Sequence, residues 1–242
     1  PKLQFAADRI PYEYLKNLPA AADRDIPLGL HLGSLIGHMR NLLGVQELSY
    51  LYVDDEELYC EIVDTMCGLC YDCAKAILET GTQFDYAHFW EDICYENGPM
   101  ISPEMFRRFC LKPYRKVTSF LKENGVDVCF VDCDGNIELL LPLWLEGGVR
   151  GFYPLEVAAG MDAEKLLKLY QKDKILIWGN VDKRELEKGP EAIEAELERL
   201  APAVEMGGFI PLVDHGVPEN ISFANYSYYN ERRKEKFNIR LL

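Results

Sequence analysis

VDVCFVDCDG, at Val126–Gly135, is the stretch whose reading decides the fold. It is a short apolar run that ends in acids and a glycine, and a helical pattern follows it. ILIWGNVDK at Ile175–Lys183 and FIPLVDHGVP at Phe209–Pro218 repeat the design. Strands that alternate with helices predict a parallel sheet with helices packed outside it. Chemistry in such folds gathers at the C-terminal strand ends. Here those ends carry Asp132, Asp134, Glu156, Asp182, Asp214 and His215.

Outward from these stretches, strands are expected at 26–32, 83–89, 126–132, 149–155, 175–180 and 209–213. Helices are expected at 33–43, 54–80, 102–124, 136–146, 162–171, 182–187, 190–205 and 219–236. Residues 1–25 read as a connector with one short helix, and 90–100 as a loop. Ser102–Pro103–Glu104 is a helix start, with a hydroxyl cap, proline at the first helical position and an acid in the first turn. Six strand–helix units fall short of the eight of a closed barrel. An open doubly wound sheet accepts six, but no glycine-rich phosphate loop follows the first strand. The expectation is an α/β protein with a (β/α)8 TIM barrel, one domain over 1–242. Its first one or two β/α units then lie outside this sequence, which begins at Pro1.

The net charge of −14 disfavours nucleic acid and anionic membrane surfaces as partners, because both require clustered Lys and Arg. No apolar run reaches the length of a spanning helix, and no signal peptide is seen, so the expected location is cytoplasmic. Cys60, Cys67, Cys70 and Cys73 share roughly one face of the 54–80 helix. A thiolate metal cluster would use such a face, but buried cysteine packing is the favoured reading.

The segments WEDICYENGPMISPEMFRRFCLKPYRKV, VDCDGNIELLLPLWLEGGVRGFYPLE, IWGNVDKRELEKGPEAIEAEL and GGFIPLVDHGVPENIS together resemble the uroporphyrinogen decarboxylase superfamily. The likeness covers most of 26–236, and Gly179–Lys183 and Ser102–Phe106 are its more specific pieces. The resemblance implies a (β/α)8 barrel with its site at the C-terminal mouth. It implies one of two chemistries, tetrapyrrole decarboxylation or corrinoid-linked methyl transfer. The family's late active-site His matches His215. The zinc-binding His-x-Cys positions of the methyltransferases fall on Asp132 and Asp134, and their later Cys falls on His215. The family's three-ligand zinc set is therefore not reproduced.

Asp132, Asp134, Glu156 and His215 are the candidate ligands for zinc or another divalent metal, since carboxylate and imidazole suit such ions. His215, Asp134 and Asp132 are the candidate catalytic residues. Their competing use is to cap a helix at Asn136 or to pair with Arg and Lys. His31, Trp90, Glu91, Asp92, Tyr95, Asn180 and Asp182 are candidate substrate contacts. The function read from this set is methyl transfer between a small-molecule donor or acceptor and a methylcobamide carried by a partner corrinoid protein. The alternatives are uroporphyrinogen decarboxylation, and a non-catalytic barrel that binds a ligand or a corrinoid protein. A homodimer is left open by the resemblance.

Overall fold

Alternation of apolar residues places one side of each strand against helices, and this decides how the chain is layered. In a computed structural model, residues 3–18, 20 and 23–239 are described. Residues 1, 2, 19, 21 and 22 of the expected connector lie outside them, as do 240–242. In chain order the elements are α1 (Tyr12–Lys16), β1 (Gly29–His31), α2 (Gly37–Leu43), α3 (Val45–Asp54), α4 (Glu56–Leu78), β2 (Tyr86–Trp90), β3 (Cys94–Tyr95) and β4 (Gly98–Pro99). There follow α5 (Pro103–Phe109), α6 (Leu111–Glu123), β5 (Cys129–Asp132), α7 (Leu141–Glu146), β6 (Gly151–Tyr153), α8 (Ala163–Leu169), β7 (Leu176–Val181), α9 (Lys183–Glu187), α10 (Pro190–Met206), β8 (Phe209–Val213) and α11 (Phe223–Lys236). The strand–helix repeat of an α/β protein is thus present. No helix among the described residues is long and apolar enough to cross a membrane.

The chain divides into two compact units that interleave in sequence. One comprises Pro1–Ile93, Met100–Asp132 and Leu139–Val149, and the other Cys94–Pro99, Cys133–Glu138 and Arg150–Leu242. In the first unit β1, β2 and β5 run parallel, with His31 opposite His88 and Trp90 opposite Asp132. Leu30, Ala87, Phe89, Cys129 and Val131 form its buried, helix-facing side. Phe89 meets Tyr114 of α6 edge-on, with ring centroids 4.9 Å apart. The other side carries His31, Tyr86, His88, Trp90, Phe130 and Asp132. In the second unit β6, β7 and β8 run parallel. Phe152, Ile177 and Phe209 share its buried side with Ile193, Leu197 and Leu200 of α10.

Several boundaries differ from the sequence expectation, each for a local reason. The helix expected from Gly33 starts at Gly37, because the backbone N–H groups of Leu35, Ile36 and Gly37 donate to the Glu91 carboxylate. The helix expected over 102–124 is two helices broken at Cys110. Pro113 has no N–H to offer the carbonyl of Phe109, and its ring crowds that turn. Ser102 does cap α5, accepting from the Met105 N–H at 3.2 Å. The helix expected from Asn136 starts only at Leu141. Asn136 instead accepts from the Glu138 N–H and donates to the Ala159 carbonyl, which holds 136–138 as a turn. The loop expected over 90–100 contains the antiparallel β3–β4 hairpin.

Cys67 and Cys70 are buried, with sulfurs 3.6 Å from the Pro113 carbonyl and 3.8 Å from that of Ser34. Burial raises both thiols above their ordinary range. This is the packed cysteine face of α4.

Candidate active site at the strand ends

In the first unit, the end of β2 delivers Trp90, Glu91 and Asp92. Alternation turns Glu91 away from the face that holds Trp90, and its side chain is fully buried. One carboxylate oxygen accepts from the Leu35 N–H at 2.9 Å and from the Tyr114 hydroxyl at 2.6 Å. The other accepts from Ser34 Oγ at 2.8 Å and from the N–H groups of Ile36 and Gly37 at 2.9 Å. Glu91 therefore caps the N-terminus of α2 and ties it to β2 and α6. The sequence expectation of substrate contact is corrected for this residue, which has no exposed surface to offer.

Trp90 is half-buried, with the His38 ring 5.6 Å away and the Arg40 guanidinium 5.4 Å over its ring. Arg40 also donates to the Asp92 carbonyl. Asp92 and Asp132 are half-buried and offer carboxylate oxygens within 4.8 Å of one another. Asp92 was expected among the substrate contacts, and the fold makes it a neighbour of Asp132. His31 Nδ1 lies 2.8 Å from His88 Nε2. Burial lowers both imidazoles, with His38 adding to it at His31 and His31 adding to it at His88, which falls to about 4.

In the second unit, the strand ends gather Asp134, Glu156, Lys183, Asp214 and His215. His215 Nε2 lies 3.3 Å from Asp134 Oδ2, and the two side chains are 47% and 33% exposed. With no helix at 136–140, Asp134 is not a helix cap. The turn that carries it rests on the β3–β4 hairpin, since the Asn136 N–H donates to the Tyr95 carbonyl at 2.9 Å. Gly135 has φ +78°, and a Cβ there would meet the Cys94 and Tyr95 carbonyl oxygens at 2.7 Å. The Tyr95 side chain is 56% exposed and available to a ligand.

Glu156 accepts from Lys183 Nζ at 3.1 Å and from the Gly135 N–H at 3.0 Å. Asp214 is fully buried and accepts from Lys183 Nζ at 3.3 Å, the Lys183 N–H at 3.2 Å and the Val157 N–H at 2.9 Å. Burial opposes the Lys183 charge, but the Asp214 and Glu156 carboxylates outweigh it and hold the ammonium above its ordinary range. Of the four expected metal ligands, Glu156 is thus engaged by a cation, while Asp134 and His215 face each other.

Two expected substrate contacts serve the fold. Asn180 is fully buried, donates to the Leu155 and Met161 carbonyls at 2.9 Å and accepts from the Ala163 N–H at 3.0 Å. Asp182 caps α9 by accepting from the Arg184 N–H, and binds the Arg184 guanidinium through both oxygens. Lys183 stood outside the expected site, and Asp214 was among the expected strand-end acids without a role of its own. Their only sequence signal was position, at the ends of IWGNVDK and FIPLVD. A cleft of about 350 Å³ lined by Tyr170, Gln171, Lys174 and Met206 lies at the opposite, N-terminal ends of β7 and β8, away from these groups.

Residues 8–235 match the family described as uroporphyrinogen decarboxylase (URO-D). No curated protein matches the chain. Among solved structures it is similar to a methyltransferase from Methanosarcina mazei, with 20% sequence identity and a TM-score of 0.68. The match covers 93% of this chain and 64% of that one, so the chain spans less than two thirds of its neighbour's length. At that identity the likeness establishes the fold alone, a TIM-barrel-like α/β fold.

Proposed function

This chain belongs to the uroporphyrinogen decarboxylase family, and from that premise we propose that it acts in corrinoid-dependent methyl transfer, with a divalent metal at Asp134 and His215. The observation that carries the reading is the 3.3 Å approach of these two side chains, both open to solvent at strand ends. Two ligands at zinc bond lengths and a tetrahedral angle stand about 3.3 Å apart. The donor set fits zinc, and leaves further coordination positions for substrate. A metal ion bound there supplies Lewis acidity toward a thiol, hydroxyl or ether oxygen. His215 and Asp134 would fix where that oxygen or sulfur sits. The methyl group passes between this small molecule and a methylcobamide carried by a partner corrinoid protein. The structural neighbour is itself a methyltransferase, in agreement with the reading.

Charge disfavours the decarboxylase alternative. The second unit's strand ends hold Asp134, Glu156 and Asp214 close together, and Lys183, the cation beside them, is already paired with two. Each further carboxylate brought to within a few Å meets repulsion of about 1 to 4 kcal/mol. A porphyrinogen with eight carboxylates would meet several such pairs.

Incubation with methylcob(III)alamin and a panel of thiols, followed by the cobalamin absorption spectrum, and a parallel incubation with uroporphyrinogen together test the proposal. Demethylation that is lost in His215→Ala supports it. Consumption of uroporphyrinogen with no change in methylcobalamin refutes it.

A further inference from the structure

We propose that Lys183 is a positioning residue that sets both members of the Asp134–His215 pair, one through Glu156 and the other through Asp214. The inference rests on the reading above that this pair is the reactive site. Lys183 Nζ reaches Glu156 at 3.1 Å, and the second oxygen of Glu156 holds the N–H of Gly135, the residue after Asp134. The same ammonium reaches Asp214 at 3.3 Å, and Asp214 is the residue before His215. The circuit closes because the second oxygen of Asp214 holds the N–H of Val157, the residue after Glu156. One cation thus links the ends of β6, β7 and β8.

The arrangement transmits position because its parts have little freedom. Asp214 is fully buried, and Lys183 and Glu156 are only about a fifth exposed. Gly135 is fitted against two carbonyl oxygens that leave no space for a Cβ, so its turn moves as a piece with Asp134. Without the ammonium, Glu156 and Asp214 become two neighbouring carboxylates that repel each other. Their separation carries Gly135 and His215 apart. Groups that orient metal ligands in this way affect affinity nearly as the ligands do.

The test compares wild type with Lys183→Met, Lys183→Arg, Glu156→Gln and His215→Ala. The readouts are zinc affinity, by competition with a chelating dye, and the ring ¹⁵N shifts of His215. Lys183→Met weakens zinc binding roughly 10- to 100-fold and displaces the His215 shifts, with the change typical of an outer-sphere partner. Lys183→Arg keeps a donor for each carboxylate and restores most of both readouts. Glu156→Gln leaves Lys183 and Asp214 paired, so it tests one arm even where Lys183→Met fails to fold. Wild-type affinity and unchanged His215 shifts in Lys183→Met or Glu156→Gln overturn the proposal, while zinc loss in His215→Ala still upholds the metal reading. If no chain binds zinc, the metal reading fails and the His215 shifts alone decide. Displacement in Lys183→Met with recovery in Lys183→Arg then supports the positioning role, and unchanged shifts overturn it.

Discussion

Glu91→Gln separates structural from substrate-binding use of the acid at the end of β2. The carboxylate accepts from three backbone N–H groups, a serine hydroxyl and a tyrosine hydroxyl. An amide of the same shape must place its NH₂ against one of the two donor sets. The less costly choice faces Leu35 and Tyr114, because the tyrosine hydroxyl can rotate and become an acceptor. The Leu35 N–H cannot turn and is left opposed to another donor in a buried site. Loss of one charge-assisted bond plus one orphaned donor costs about 2 to 4 kcal/mol. That is a large share of the roughly 5–15 kcal/mol that holds a domain. Urea unfolding followed by circular dichroism should show a lower midpoint with an unchanged slope. A stability loss below about 0.5 kcal/mol, within the range of ordinary surface substitutions, would refute the reasoning. A weakened ligand affinity at unchanged stability would return Glu91 to the substrate.

Other perturbations follow from the same geometry. Gly179→Ala should prevent folding, since its Cβ would lie 1.8 Å from the Pro154 carbonyl oxygen at φ +106°; a soluble, cooperative variant would contradict this. Asn180→Ala removes the side-chain bonds that join Leu155, Met161 and Ala163, and a midpoint within error of wild type in the same urea assay would count against it. His88 has a folded pKa of about 4 against an ordinary 6.5, through burial first and His31 second. The unfolded chain therefore takes up this proton first as pH falls. Stability drops by about 2 to 3 kcal/mol from pH 6.5 to about 4 and is flat below that from this group. His88→Gln should flatten that part of the stability–pH profile, and an unchanged slope would be inconsistent with it. Burial opposes the Asp182 charge, but hydrogen bonds from Arg184 hold its pKa below the ordinary carboxylate value. Its contribution is present above the unfolded pKa and lost as pH falls through the folded one. Asp182→Asn should accordingly reduce the acid sensitivity of unfolding, which an identical acid transition would disprove.

What could be read from sequence was what local chemistry specifies. The Ser102–Pro103 start of α5 and the span of β8 depend on residues next to one another, and both match the structure. The start of the helix expected from 162 matches as well, with Asp162 capping α8. Pattern reading missed α3, whose Val45, Tyr50 and Val53 are exposed and break its apolar stripe. It missed the β3–β4 hairpin because two-residue strands have no period to detect. The candidate site was legible as a set of strand-end acids and His215. The division of labour among them was not, because it is made by long-range pairs. Glu91 meets donors 54 to 57 residues away, and Lys183 meets Glu156 and Asp214 at separations of 27 and 31 residues. An acid that binds a backbone N–H and an acid that faces solvent look the same in a sequence.

The most direct test of the account is the zinc content of the purified protein by inductively coupled plasma mass spectrometry, after growth with added zinc, beside His215→Ala and Asp92→Asn. The account predicts about one zinc per chain, the stoichiometry of a single site, lost in His215→Ala and kept in Asp92→Asn. Zinc absent from every chain, or kept in His215→Ala and lost in Asp92→Asn, would contradict it.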